Sequence, residues 1–248
     1  MGGALLENWR RGDETFAIVD PVLERAPQGV SLYKTREDVA KTHFDLIVAA
    51  VKPQMIDEVM PDYSDMFTRD GYLLSIAAGC SIGRLKAVSG GKPVIRVMPN
   101  LPAAIGAGVS AICASEDANA AQLAHARAMM ERTGTVVTVD DEDAIDRFTA
   151  VAGSGPGYVF ELARAYTEAA MALGFDEAQA RAMVLGTLQG TVAMAAGSDE
   201  PLETLRNSVT SKGGTTAAGL EALNGAGELS ALLSATLEAA YNRAVELR

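Results

Sequence analysis

Two runs in the first third of the chain, FDLIVAAV (44–51) and GYLLSIA (71–77), are apolar at nearly every position. A strand with one wet face alternates apolar and polar residues. One that is apolar throughout must be covered on both faces, as in a parallel sheet flanked by helices. Shorter runs of the same kind occur at 16–20 (FAIVD), 93–98 (PVIRVM), 108–114 (GVSAICA) and 135–139 (TVVTV). Helical stretches fall between them at 53–60, 82–87 and 118–132. That rhythm specifies an α/β domain with a doubly wound, mostly parallel sheet. From Asp141 the strands stop, and helical patterns follow at 142–151, 156–173, 176–196, 201–208, 215–223 and 228–247. The expected division is an α/β domain over 1–140 and an all-helical domain over 141–248.

The composition narrows the function. The net charge is −11 and there is no basic run, which argues against nucleic acid as a partner. The longest uncharged run, 97–115, is broken by Pro99, Pro102, Gly106 and Gly108, so no membrane helix is expected. Cys80 and Cys113 lie far apart, and neither His43 nor His125 has a ligand-spaced companion. A reducing, cytoplasmic setting without a metal site fits that pattern. The uncharged stretch 182–198 is too polar for lipid and too apolar to be solvated all round. A helical domain of about 100 residues cannot cover it alone, so packing against a second copy is expected.

The opening, MGGALLENWRRG, departs from the expected order. A doubly wound dinucleotide-binding sheet starts with an apolar strand, then G-x-G-x-x-G, then a helix whose N-terminus faces the pyrophosphate. Here Gly2 and Gly3 lead directly into a helix-like ALLENWRR. The first strand and first two glycines are expected to be missing.

Five segments carry a resemblance: VAAVKPQ (48–54), SIAAG (75–79), VIRVMPNLPAAIGAGVSAI (94–112), AVAGSGPGYVF (150–160) and VTSKGGTTAAGL (209–220). In this order and spacing they closely resemble pyrroline-5-carboxylate reductase, along the whole chain. The resemblance implies a Rossmann-type domain, a helical dimerisation domain, and hydride transfer from a nicotinamide cofactor to a cyclic imine, the last step of proline biosynthesis. Members of the family are dimers, often assembled into decamers. Met1 and Gly2 then look like the tail of the family's phosphate-binding turn.

By the same resemblance, Ala50, Val51, Lys52 and Pro53 form a loop along the dinucleotide at the C-terminal end of a strand, where such sheets bind ligands. Lys52 would meet phosphate charge. Ala77, Ala78 and Gly79 are small enough to let the nicotinamide or its ribose approach the backbone. Met98 and Pro99 would wall the nicotinamide pocket, with Asn100 supplying amide hydrogen bonds near the ring. Asp20 ends the strand 16–20, where an acidic residue takes ribose hydroxyls and repels a 2′-phosphate. The family favours NADP(H), so Asp20 keeps NAD(H) open as the alternative.

The paired glycines and threonines of 213–216 interrupt an otherwise helical region. From the residues alone this is a helix–helix turn with a threonine N-cap. The resemblance adds a second reading. Ser211, Gly213, Gly214 and Thr215 cradle the substrate carboxylate through backbone N–H groups, and the Thr216 hydroxyl reaches the ring nitrogen as the catalytic group. Orienting the imine would contribute more than acid catalysis. Two other readings stay open. One is a β-hydroxyacid-type dehydrogenase, disfavoured because Lys212 is the only lysine after Lys92. The other is an N-terminally truncated, cofactor-deficient oligomeric form.

Overall fold

A computed structural model describes all 248 residues. The chain divides into two compact units, Met1–Pro156 with Ala240–Arg248, and Gly157–Ala239. The first unit is built on β3 (Phe44–Ala49), β4 (Phe67–Ser75), β5 (Val94–Pro99), β6 (Gly108–Ala114) and β7 (Gly134–Thr138), hydrogen-bonded in that order. Strands β3, β4 and β5 are parallel, as are β6 and β7. The β5–β6 pair is antiparallel. Its connection is one 3-10 turn, Leu101–Ile105, closed by Gly106 at φ 75°, too short for the crossover a parallel pair needs. Strands β1 (Ala17–Val19) and β2 (Ser31–Tyr33) form a separate two-stranded parallel sheet.

The double coverage expected of the apolar strands is visible residue by residue in β4. Tyr72 and Leu74 pack with Leu5, Leu6 and Trp9 of α1 (Gly2–Trp9), Ile95 and Val97 of β5, and Met129 and Met130 of α4 (Ala120–Glu131). Leu73, on the opposite face, packs with Ile56 of α2 (Ile56–Val59), Met60, Leu85 of α3 (Ile82–Val88) and Val94. Asn119 and Gln122 cap the start of α4 reciprocally, which fixes where that helix begins. Strand β4 starts at Phe67, earlier than its apolar run, because its register with β3 is irregular between Phe44 and Leu46. A Cβ on Gly71 would lie 2.8 Å from the Phe44 carbonyl, so only glycine passes that irregularity.

Helix α5 (Glu142–Phe148) and the π-turn Thr149–Gly153 complete the first unit, with Ile145 packed on Ala111 and Cys113. Both cysteines are free and buried. The last residues of the chain join this unit. The Tyr241 hydroxyl donates to Asp143 Oδ1 at 2.7 Å, and Arg248 Nε donates to Asp146 Oδ2 at 2.9 Å. Asp146 is buried, and a buried carboxylate without a cation is strongly disfavoured, so Arg248 fixes this segment. The Leu247 carbonyl thereby packs over Gly79, whose φ is +69°.

From α6 (Gly155–Ala172) onward the structure is helical: α7 (Glu177–Ala196), α8 (Leu202–Ser208), α9 (Thr215–Asn224) and α10 (Glu228–Glu246). In α6 and α7 only Ala170, Ala180 and Val184 are buried. Phe160, Val192 and Met194 are 63%, 64% and 73% exposed, an uncovered apolar surface of the kind that marks association. No helix is long and apolar enough to cross a membrane.

Two substitutions probe this frame. Ser110 on β6 is buried and its Oγ has no hydrogen-bond partner. Ser110→Ala should be neutral or stabilising by about 1 kcal/mol in urea unfolding, and a clear loss would show that the hydroxyl is bonded. Gly79→Ala should destabilise by about 1–3 kcal/mol, because a side chain is strained at that φ and meets the Leu247 carbonyl. An unchanged unfolding midpoint would show that loop and C-terminal segment separate freely.

Candidate active site

Strands β3, β4 and β5 run parallel, so their C-terminal ends share one edge of the sheet. The Ile76 N–H donates to the Ala49 carbonyl at 3.2 Å, and two loops leave this rung side by side. In the first, Ala50 and Lys52 are exposed and Val51 is half-buried. Lys52 is extended, as a residue before proline must be, and Pro53 opens the turn leading to α2. In the second, Ser75 Oγ accepts the Ala77 N–H at 3.2 Å, which turns the chain outward at once. Ala77 is buried and Ala78 exposed. Gly79 takes the left-handed conformation, and Ser81 caps α3 by accepting the Arg84 N–H.

Met1 is the N-cap of α1. A Cβ on Gly2 would lie 2.8 Å from the Ala50 Cβ, so the first turn of α1 meets the end of β3 at a separation only glycine allows. The structure thus brings Gly2, Ala50 and the 51–53 and 77–79 loops to one end of the sheet, where Gly2, Ala50, Ala77, Ala78 and Gly79 carry no side chain beyond Cβ. Asp20 follows β1. Its Oδ1 accepts the N–H groups of Val22 and Leu23 at 2.8 and 2.9 Å. Those bonds, that from Leu23 first, hold its carboxyl below the usual carboxylate range.

At the end of β5, Met98 lies against Gly153. Asn100 is buried. Its Nδ2 donates to the Ala152 carbonyl at 3.1 Å and its Oδ1 accepts the Val109 N–H at 2.9 Å. These bonds tie the exits of β5 and the π-turn together around Pro99.

In the second unit, Ser211 to Gly214 form the bend before α9, which begins with Thr215 and Thr216. Gly213 has φ +71°, and the Gly214 N–H donates to the Ser211 carbonyl at 3.0 Å. Gly214 itself is extended and caps α9, with no side-chain cap. The threonine N-cap read from the local sequence is therefore corrected: Thr215 and Thr216 are the first two residues inside the helix. The extended cap position falls to the residue that follows the left-handed glycine. Ser211 Oγ occupies the space a Gly214 Cβ would need. With no side chain hydrogen-bonded to the helix start, first-turn N–H groups remain available to an anion. Both threonines are exposed.

Sequence reasoning missed Arg96 and Glu142. Arg96 is buried in β5 and its Nη1 donates to Glu142 Oε1 at 2.9 Å. The same oxygen accepts the Ile82 N–H at 2.8 Å, which anchors the start of α3 behind the 77–80 loop. The signal was an arginine inside the run PVIRVM, since a charge in a doubly covered strand requires a partner. An open groove of about 640 Å³ lined by Lys86, Cys113, Asp140, Glu142 and Arg248 contains none of the anticipated residues, so concavity alone does not mark the site.

Residues 142–247 match the pyrroline-5-carboxylate reductase dimerisation family. The chain is 37% identical to the pyrroline-5-carboxylate reductase of Synechocystis sp., over 82% of this chain and 75% of that protein. It is 38% identical to that of Pseudomonas aeruginosa, over 82% and 74%. The structure of a pyrroline-5-carboxylate reductase from Coxiella burnetii superimposes with a TM-score of 0.90 at 29% identity, covering 99% of this chain and 94% of that one. That of Plasmodium falciparum pyrroline carboxylate reductase with NADP bound superimposes at 0.85 and 26% identity, covering 100% and 94%. With relatives this similar over three quarters of their own length, the chain belongs to the pyrroline-5-carboxylate reductase family.

Proposed function

We propose that this protein reduces 1-pyrroline-5-carboxylate to L-proline with NADPH as hydride donor, acting as a homo-oligomer. The observation that carries the reading is the glycine bend Ser211–Gly214 at the uncapped start of α9, in a chain of this family. A small ring bearing a carboxylate and an imine nitrogen needs donors at close range without bulk. Backbone N–H groups beside Gly213 and Gly214 supply them, and the positive end of α9 favours the negative charge. Thr216 is assigned the ring nitrogen, which its hydroxyl orients. That role is positional, since a threonine hydroxyl is too weak an acid to protonate the imine by itself.

The sheet edge fits a dinucleotide. Gly2 packs against Ala50 too closely for any other residue, and Ala77, Ala78 and Gly79 carry no side chain beyond Cβ, with Ala78 exposed. When bound, the nicotinamide supplies the hydride. Lys52, exposed at the loop apex, is assigned to phosphate charge, and Met98 and Pro99 to the wall of the ring pocket. Asn100 positions that wall through its bonds to Val109 and Ala152. Asp20 is ionised after β1, where a carboxylate opposes a 2′-phosphate and accepts from a 2′-hydroxyl, so NADH serves as a second donor. The protein is assigned to the cytoplasm, and its dimers to a larger ring such as a decamer.

In an assay following NADPH oxidation by 1-pyrroline-5-carboxylate, Thr216→Ala should lower kcat at least about tenfold with an unchanged unfolding midpoint. Unaltered kinetics would remove Thr216 from the mechanism, and absence of turnover by the unsubstituted protein would overturn the assignment. Asp20→Ser should raise kcat/KM with NADPH relative to NADH several-fold, and an unchanged ratio would show that the carboxylate does not face the ribose.

A further inference from the structure

Beyond the last rung of β3 and β4, the side-chain hydrogen bond that one small-residue loop makes to the other is a long, weak one from Cys80 Sγ to the Pro53 carbonyl. The residue that joins them is Arg84, in the first turn of α3. Its Nη2 donates to the Pro53 carbonyl at 3.1 Å, at the end of the Ala50–Pro53 loop. Its Nη1 lies 3.6 Å from Cys80 Sγ, directly after Gly79. Nε and Nη2 grip Asp57 of α2 at 3.0 and 2.7 Å in a bidentate pair. One planar guanidinium therefore touches both loops and the helix that follows the first of them.

The base of this clamp is fixed. The Arg84 backbone N–H is held by Ser81 Oγ at 3.2 Å, and the start of α3 is held by Glu142 at Ile82. Cys80 Sγ also approaches the Pro53 carbonyl at 4.0 Å, so the thiol sits between the loops as filler. As a source of stability the arrangement is weak. The Arg84 and Asp57 side chains are 34% and 60% exposed, and ion pairs in that setting contribute little. Geometry is what it supplies: a fork whose spacing sets the distance between two backbone segments. A lysine in its place has a single point of charge and cannot span three acceptors.

We infer that Arg84 is a positioning residue for the dinucleotide, holding the 50–53 and 77–80 loops at the separation the cofactor requires without touching it. The inference rests on the proposed assignment of those loops to NADPH. A loose pair of loops would still form but would have to be ordered on binding, at a cost in affinity.

The test uses the full chain with Arg84→Ala, Arg84→Lys and Asp57→Asn, and three readouts. Amide hydrogen exchange without cofactor should quicken in both loops in Arg84→Ala while the strands remain protected. NADPH titrated by fluorescence should bind several-fold more weakly to Arg84→Ala, with Arg84→Lys restoring part of the loss. Asp57→Asn, which leaves the Pro53 contact, should show a smaller effect. In steady state the KM for NADPH should rise while that for the imine stays constant. Exchange and binding equal to those of the unsubstituted chain would overturn the inference and leave the function intact. Faster exchange spread over the whole sheet would overturn it in favour of a merely structural role. If the unsubstituted chain did not bind NADPH, the assignment of the loops would fall and the inference with it.

Discussion

The hydrogen bond from the Ile76 N–H to the Ala49 carbonyl closes the ladder between β3 and β4, and the sheet edge proposed for the cofactor depends on that rung. Because the strands are parallel, both chains emerge from the sheet at the same edge and in the same direction. A parallel ladder requires a crossover, and the crossover here is α2, whose Asp57 Arg84 then uses. The doubly covered apolar run that forces the parallel sheet therefore also sets where the small-residue loops lie and what can brace them. The fold and the binding edge are one solution to the same burial problem.

The segments proposed for cofactor and for substrate each present backbone rather than side chains, by the same chemistry. Glycine at Gly2 allows a helix start to touch Ala50, and Gly213 in the left-handed region turns the chain so that Gly214 can cap α9. Such segments pay in conformational entropy, since glycine has most freedom to lose on folding. The structure offsets this with contacts from neighbouring residues. Leu247 lies over Gly79, Ser211 Oγ over Gly214, and the fork of Arg84 against Pro53. Where the ligand needs bare backbone, order has to be imposed by neighbours.

That division of labour explains what could be read from the sequence. The strands at 93–98 and 108–114 were legible because burial leaves short, nearly continuous apolar runs, that at 44–51 because its run is apolar although mostly half-buried, and the long helices because their periodicity is unbroken. The start of β4 was hidden by the polar residues Thr68, Arg69 and Asp70 and the irregularity at Gly71. Strand β2, three residues long, carries no pattern at all. The loops named for the cofactor do meet, but what braces them was out of reach. Arg84 and Asp57 are 27 residues apart and Arg96 and Glu142 are 46 apart, and local patterning says nothing about such pairs. The bend at Gly213 was legible as a bend. Which residue capped the helix depended on backbone angles that two adjacent glycines leave open.

The helical unit carries the complementary lesson about association. Helix α7 has no charge from Ala182 to Ala196, yet only Ala180 and Val184 are buried along it. Leaving Val192, Met194 and Phe160 in water forfeits about 25 cal/mol for each Å² of apolar surface that could be covered. A unit with so small an interior of its own gains much of its stability from a partner copy, so its folding and its assembly are linked. The bend that begins α9 belongs to this unit. The order of the backbone proposed to bind substrate is thus tied to oligomer formation, whereas the edge proposed for the cofactor is built by the first unit from its own strands. Assembly and dinucleotide binding accordingly draw on separate sources of stability, and a change that weakens one need not weaken the other.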